Sequence, residues 1–441
     1  MAGAEPVELL RQLLRVRSIN PPGDEAAVVA ILERYLSEAG LTTTILTSPG
    51  GRTNLVARVD GPHDRPALVL LSHSDVVPVE EDRWARDPFG AEIFDGSIWG
   101  RGALDMKAIS VMHAVAAADL VRAGRTPSRE IIVVVVADEE AGGYEGARWL
   151  LDEHATLVGF GERRPPPEVI GEGAYGISGV LRRPVIPVAL GEKTAVWFEV
   201  LVEGDPGHGA LPPAHQAPVN LAAIVAQTAG FGTPRVHPIM REQFVTLAAA
   251  ASGAQAAVFR ALASPTGSAL SRVVAPRLRK AGALGLLLSD SITPTAITAG
   301  YKSNVVPGEA RASFDCRLLP DTDIKAFVSS LDTKARRRGG RIVNVVQKGH
   351  GPVSGRGPLL DVLNQAATQI APDALSMVSL SPGITDLRFF RARGATGYGW
   401  TPIVLTPQLL ATIHGHDERI PVAAFEKAVT VMSDAVRRAA T

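Results

Sequence analysis

One cysteine in 441 residues, Cys316, is all the thiol chemistry this chain has. A monomer so equipped forms no internal disulfide, and a reducing compartment suits it. Net charge is missing as well: 45 Lys plus Arg balance 45 Asp plus Glu, which removes any global pull toward nucleic acid or anionic membrane. Polyanion binding would need a local patch, and the most basic cluster, "KARRR" from Lys334 to Arg338, reads as the solvated face of a predicted helix. No apolar run approaches the ~20 residues a membrane helix needs. The start, "MAGAEPVELLRQLL", lacks the basic stretch and uninterrupted apolar core of a signal peptide. Internal repeats and low-complexity tracts are also missing. These absences lead to the expectation of a soluble, cytoplasmic protein with neither nucleic acid nor membrane as partner. The length, about two to three typical domains, predicts more than one core.

What is present is periodicity. Apolar positions at helical spacing run through "VELLRQLLRV" and "AAVVAILERYLSEAG", with Gly40 placed to stop the second helix and "SINPPGDE" as the turn between them. Short apolar runs then alternate with helical stretches: "TNLVARVD", "ALVLLSHSD", a helix from about Met106 to Ala123, "EIIVVVVADEE", a helix near "EGARWLLDEH", and "PEVIGEG". Val- and Ile-rich runs separated by helices predict an α/β sheet buried on both faces. Near residue 193 the pattern changes to the strict alternation of a half-exposed strand, "TAVWFEVLVEG". A helix at "APVNLAAIVAQTAG", strands at "TAITAGY" and "EARASFDCRLL", a helix at "DIKAFVSSLDTKARR" and a strand at "RIVNVVQKG" follow it. That order, βαββαβ, predicts one sheet with two helices. The Ala- and Leu-rich segment 236–292 interrupts it and adds helices. From about 351 the α/β character returns, with helices at "PLLDVLNQAATQIA" and "PVAAFEKAVTVMSDAVRRAA". The expected architecture is an α/β domain with a mixed, mostly parallel sheet, residues 1–192 and 351–441, into which a smaller α+β domain, 193–350, is inserted.

Ionisable residues interrupt the apolar runs of the first domain where strands should end, and open α/β sheets gather ligands outside those ends. His73 and Asp75 follow "ALVLL"; residues two apart share a strand face, so the carboxylate can back one ring nitrogen while the other points outward. The plain alternative is a buried histidine bonded to its neighbour. Asp105, in "WGRGALDMK", taken singly is a helix N-cap. Glu139 and Glu140 end "IIVVVV", and adjacent carboxylates there are costly unless something positive compensates them. A metal would supply that charge, with one carboxylate as ligand and the other facing a bound water as its base; a solvated loop start is the alternative. Glu172, between Gly171 and Gly173, could be a turn carboxylate. His414 follows an apolar run as His73 does, and either it or His416 could be a surface residue. Together these imidazoles and carboxylates suit Zn²⁺, Co²⁺ or Mn²⁺, and suffice for two ions sharing a carboxylate.

The motifs resemble those of the zinc-dependent metallopeptidases and deacylases that include aminoacylase, glutamate carboxypeptidase, carnosinase, acetylornithine deacetylase and succinyl-diaminopimelate desuccinylase. The resemblance runs in order through "SINPPGDE", "SHSDVVPV", "WGRGALDMK", "ADEEAGG", "GEGAYG", "GDPGHGALPP", "NVVPGEARASFDCRLLP", "PGITDLRFF" and "IHGHDERIP". It implies that His73 binds one metal with Glu172, that Asp105 bridges both, and that Asp75 orients His73. Glu140 and His414 would serve the second ion, and Glu139 would be the general base. His414 is preferred to His416 because the family's last ligand precedes an Asn/Asp-Glu pair by three residues, here Asp417 and Glu418. His208 matches the histidine that reaches a partner subunit's site and stabilises the oxyanion, which implies a homodimer and makes the inserted domain, 193–350, a lid and dimerisation domain. Asn304, Arg317 and Gly383 match substrate-binding positions; an ion pair on a strand surface is the alternative for Arg317. The implied activity is hydrolysis of an amide in a small substrate with a free carboxylate, either an N-acyl amino acid or a peptide. A metal-binding protein without catalysis is the rival class. The chain departs from the pattern at Ile384, where many members have glycine, at Gly171, where many have aspartate, and in the added segment after 236.

Overall fold

The computed structural model describes residues 4–281, 283–348 and 351–441. An eight-stranded sheet forms its body, in the order Thr42–Thr47, Thr53–Val59, Ile131–Val136, Leu68–His73, Glu168–Ile177, Thr396–Leu405, Val185–Glu192, Leu375–Ser381. Leu68–His73 lies parallel to both of its neighbours, and two further parallel pairs stand to its right, Glu168–Ile177 with Thr396–Leu405 and Val185–Glu192 with Leu375–Ser381. The first two strands run antiparallel. Every residue of Leu68–His73 and of Ile131–Val136 is buried, as continuous apolar runs without alternation predict. Helices Ala4–Leu14, Ala26–Glu38, Lys107–Arg122 and Val422–Ala439 share one core with one face of these strands, and Ala147–Glu153 and Leu387–Ala392 cover the other. Gly40 takes φ +94° just past the second helix, a conformation that ends it without strain.

Strand Thr194–Glu203 begins two residues after Glu192 and belongs to a separate, wholly antiparallel sheet, ordered Gly230–Phe231, Ser291–Ala299, Glu309–Leu318, Thr194–Glu203, Gly340–Lys348. Helices Ala217–Thr228 and Ile324–Arg336 cover one face of this lid. The mixed α/β class with an inserted α+β unit is therefore what the chain adopts.

One segment behaves differently from its sequence neighbours. Helices Pro238–Ala250, Gly253–Ala263 and Gly267–Ala281 lie between lid strands in the sequence, yet Ile239, Met240, Phe244 and Leu247 join the core of the body. The apolar face of Pro238–Ala250 meets the body's edge strand Leu375–Ser381, whose outer side would otherwise expose ladder groups and apolar surface, and the other two helices stack behind it. By packing, this insertion belongs to the body although it is spliced into the lid. No helix among the described residues is long and apolar enough to cross a membrane.

Candidate metal centre

The ends of the body's central strands deliver the cluster. Leu68–His73 stops on His73, and Ile131–Val136 runs through Ala137 into Asp138, a left-handed residue with φ +69°, before the tight turn Glu139–Ala141. Glu172 lies inside the strand Glu168–Ile177 and not in a turn; pairing with Leu68–His73 ends at Leu70 and Ile170, which leaves Glu172 free to face the histidine. Asp105 stands just before helix Lys107–Arg122 but caps nothing: its oxygens point to two imidazoles. Oδ1 lies 3.2 Å from His73 Nε2 and Oδ2 lies 3.0 Å from His414 Nε2. Glu172 Oε2 is 3.8 Å from His73 Nε2, and Glu140 Oε1 is 3.3 Å from His414 Nε2. Candidate ligand atoms of His73, Asp105 and Glu140 fall within 4.8 Å of one another, as do those of His73, Glu139 and Glu172. His416 turns away to Glu80, 3.1 Å distant at the surface.

Asp75 does more than back a histidine. His73 Nδ1 lies 3.0 Å from the Asp75 carbonyl, which can only accept, so Nδ1 keeps a proton and Nε2 is the nitrogen turned to the cluster, the one that can be freed for a ligand role. The Asp75 carboxylate, 3.4 Å from the same nitrogen, accepts from the Glu139 and Glu140 amides at 3.2 and 3.1 Å and from Asn20 Nδ2 at 2.8 Å. One buried residue thus fixes both elements, the first histidine through its carbonyl and the turn that carries both glutamates through its carboxylate. Asp138 tightens that turn by accepting from the Tyr144 and Glu145 amides, while Arg52 reaches Asp138 at 3.3 Å. On the far side, buried Glu418 accepts from the Leu104 and Asp105 amides at 2.7 and 3.1 Å and pairs with Arg101, whose other nitrogen holds the Gly415 carbonyl. Glu418 therefore sets Asp105 against the loop of His414, itself left-handed at φ +58°. Asn20, Asp138, Arg101 and Glu418 carry no sign of this role in the sequence beyond lying inside the quoted motifs.

Electrostatics mark the cluster as incomplete without cations. Burial pushes the Glu139 carboxyl well above the usual range, with the Glu172 charge adding to it, and burial raises Glu172 itself to about 8. Burial also disfavours charge on His73, but hydrogen bonds to Asp105, Asp75 and Glu172 outweigh it and raise its pKa. Hydrogen bonds to Asp105 and Glu140 push His414 up to about 10. Asp105 differs: burial opposes its ionisation too, but hydrogen bonds to His414 and His73 hold it below the usual carboxylate range. Buried glutamates that resist ionising around a charged aspartate are the setting a divalent cation would relieve. Two imidazoles and several carboxylates, with no sulfur, fit zinc, cobalt or manganese.

The lid residues stand apart. His208 is exposed on the short strand Gly207–His208, its Nδ1 accepting from Ala210 N at 3.1 Å. Asn304 sits beside it, its carbonyl accepting from Gly209 N. Arg317 is held by Asp315, two residues away on its own strand, at 2.8 and 2.9 Å. Gly383 lies exposed in the bend before Asp386. The structure brings His73, Asp105, Glu139, Glu140, Glu172 and His414 together, and leaves His208, Asn304, Arg317 and Gly383 outside that cluster.

Known proteins share this arrangement of chain. The sequence is 29% identical to aminoacylase-1 of Sus scrofa over 442 residues, covering 96% of this chain and 93% of that protein. It is 28% identical to the succinyl-diaminopimelate desuccinylase of Phenylobacterium zucineum, covering 99% of both. The fold matches a crystal structure of an M20 family metallo-carboxypeptidase from Sulfolobus solfataricus with a TM-score of 0.72 at 17% identity, covering 98% of each chain. Residues 69–438 match the family described as Peptidase family M20/M25/M40, and the chain belongs to this family of metal-dependent hydrolases of amide and peptide bonds.

Proposed function

We propose that the protein hydrolyses the amide bond of a small N-acyl amino acid with a pair of divalent ions, most suitably zinc, and with Glu139 as general base. The observation that carries this reading is Asp105, whose two oxygens face two different imidazoles, each with a further carboxylate beside it. His73, Asp105 and Glu172 would hold one ion, and His414, Asp105 and Glu140 the other. Bound there, the ions would acidify a water and polarise the scissile carbonyl. Glu139 has no ligand role in this scheme: it takes the water's proton and returns it to the leaving nitrogen. Asp75 keeps His73 in the tautomer that offers Nε2 and keeps Glu139 aimed by holding its amide. In a homodimer, His208 of one lid would donate to the developing oxyanion in the other subunit, a role its exposure suits. Arg317, with Asn304 and Gly383, would take the substrate's carboxylate, which must displace or share Asp315 to reach the guanidinium fork.

The alternative substrate class, a dipeptide or peptide cleaved by carboxypeptidase action, is less favoured by the similarity to aminoacylase-1 along 96% of the chain. In this reading residues 1–192 and 351–441 are the catalytic domain and 193–350 the inserted lid, with the insertion's helices lent back to the body. A reducing, cytoplasmic setting suits the single buried thiol, Cys316. The test is metal analysis together with a screen of N-acyl amino acids and dipeptides, each with and without chelator. Turnover of N-acyl amino acids that chelator abolishes supports the reading; dipeptides alone as substrates would overturn the deacylase part, and chelator-resistant turnover the metal part.

A further inference from the structure

Residues Glu192 and Lys193 occupy the point where the chain leaves the body and enters the lid, and between them they make contacts in three directions. Glu192 is buried at the end of its strand, and its Oε2 accepts from both the amide and the hydroxyl of Thr385, at 3.0 and 2.8 Å. Its other oxygen lies 3.5 Å from Arg391, itself buried. The Lys193 amide donates to the Ser381 carbonyl at 3.1 Å. Consecutive residues thus pin both ends of the segment Ser381–Thr385, and the exposed bend with Gly383 projects between the pins.

The Lys193 side chain goes the other way. Its buried ammonium donates to the Leu286 and Ser289 carbonyls at 2.8 and 2.7 Å, at the end of the insertion. Asp290 follows directly, accepting from the Leu319 amide and the Thr322 hydroxyl and pairing with Arg235 at 3.0 Å. Two residues on from Lys193, Ala195 lies in register with Arg317 on the adjacent lid strand. A single dipeptide is therefore bonded to the wall that bears Gly383, to the insertion, and to the strand ladder that bears Arg317. A buried carboxylate and a buried ammonium are costly to keep at a crossover unless their fixed geometry is used.

We propose that Glu192 and Lys193 are positioning residues for substrate: they hold the wall Ser381–Thr385 at a fixed offset from the lid strand carrying Arg317, and so set the affinity for the substrate's carboxylate end. This rests on the proposed function, in which those two elements receive that carboxylate. It also gives the insertion a task, since its Leu286 and Ser289 carbonyls are what Lys193 grips. Loosening the dipeptide lowers binding of substrate and transition state alike, which appears in KM and spares kcat.

The experiment compares an N-acyl amino acid with its amide-capped counterpart, using metal-loaded full-length protein and recording metal content and melting temperature. Glu192→Ala is expected to raise KM for the free acid roughly tenfold or more with kcat within about twofold, and to leave KM for the capped substrate unchanged. Glu192→Gln, which can still accept from Thr385, should recover to within about threefold of wild-type KM. Should Glu192→Ala fail to fold because Arg391 is left unpaired, Thr385→Val and Lys193→Met carry the test, each with a KM increase of roughly threefold to tenfold. Wild-type KM in the folded variants, or an equal loss on both substrates, overturns the positioning role. Turnover that survives in Glu139→Ala overturns the underlying functional reading instead, and the two failures are thereby told apart.

Discussion

The body and the lid contribute to the candidate site in opposite ways. On the body, His73 and the Asp75 that backs it are almost wholly buried, and further buried side chains, Asp75, Asn20, Asp138 and Glu418, tie down the segments that carry Asp105, Glu139 and His414. On the lid, His208 and Asn304 lie in the open, and Arg317 is satisfied by a neighbour on its own strand. In the proposed function, the contrast separates an ion-binding half, assembled by the fold, from a substrate-handling half that needs a second element brought up to it. Strand ends in a buried sheet are suited to the first task because their backbones are fixed from both sides. An exposed lid strand is suited to the second.

Perturbing the body should therefore cost ions and chemistry, and perturbing the lid should cost chemistry alone. His414→Ala is expected to lose one ion per chain and reduce turnover by roughly 10³-fold or more, whereas His416→Ala, whose partner is the surface carboxylate Glu80, should match wild type; metal analysis beside kinetics separates them. His208→Ala should retain both ions and lose roughly 10²- to 10³-fold in kcat. If His208 acts across a dimer, heterodimers of His208→Ala with Glu139→Ala recover one working site; no recovery in verified heterodimers would place the histidine elsewhere. Asp75→Asn should weaken metal affinity by roughly 10- to 100-fold, read by competition with a chelating dye, because it removes the negative charge beside His73 Nδ1 and loosens the turn of Glu139 and Glu140 without removing a ligand. The smallest effect is a proton count. In the metal-free protein His73 and His414 have raised pKa values, His414 about 10, so both hold protons at neutral pH and must give them up to bind an ion. Metal uptake should release protons and tighten as pH rises, and calorimetry in buffers of different ionisation enthalpy checks this; heats independent of buffer would contradict it.

The body's half of the site was legible in the sequence for a physical reason. Fully buried strands write themselves as unbroken Val and Ile runs, so a histidine or glutamate that ends one stands out, as His73, Glu139 and Glu140 do. Of the supports only Asp75 was legible, two residues from His73 on the same run; the others were not, because a carboxylate that serves a backbone amide looks like any other: Glu418 lies more than three hundred residues from Asp105, whose amide it holds. Alternation predicted the lid strands Thr194–Glu203 and Glu309–Leu318 nearly to the residue. The strand Val185–Glu192 escaped notice because Pro187 and Gly191 break its pattern, and with it went the Glu192–Lys193 crossover. Where the Ala- and Leu-rich insertion packs could not be read either, since an apolar helix face does not name the sheet it covers.

In the proposed function everything turns on Glu139 being a base beside the ions and not one of their ligands. Measuring ion content and turnover together in Glu139→Ala tests it most directly. Two ions per chain are expected, as in wild type, with turnover reduced by roughly 10³- to 10⁴-fold. Wild-type turnover in that variant, or loss of an ion on substitution, would contradict it.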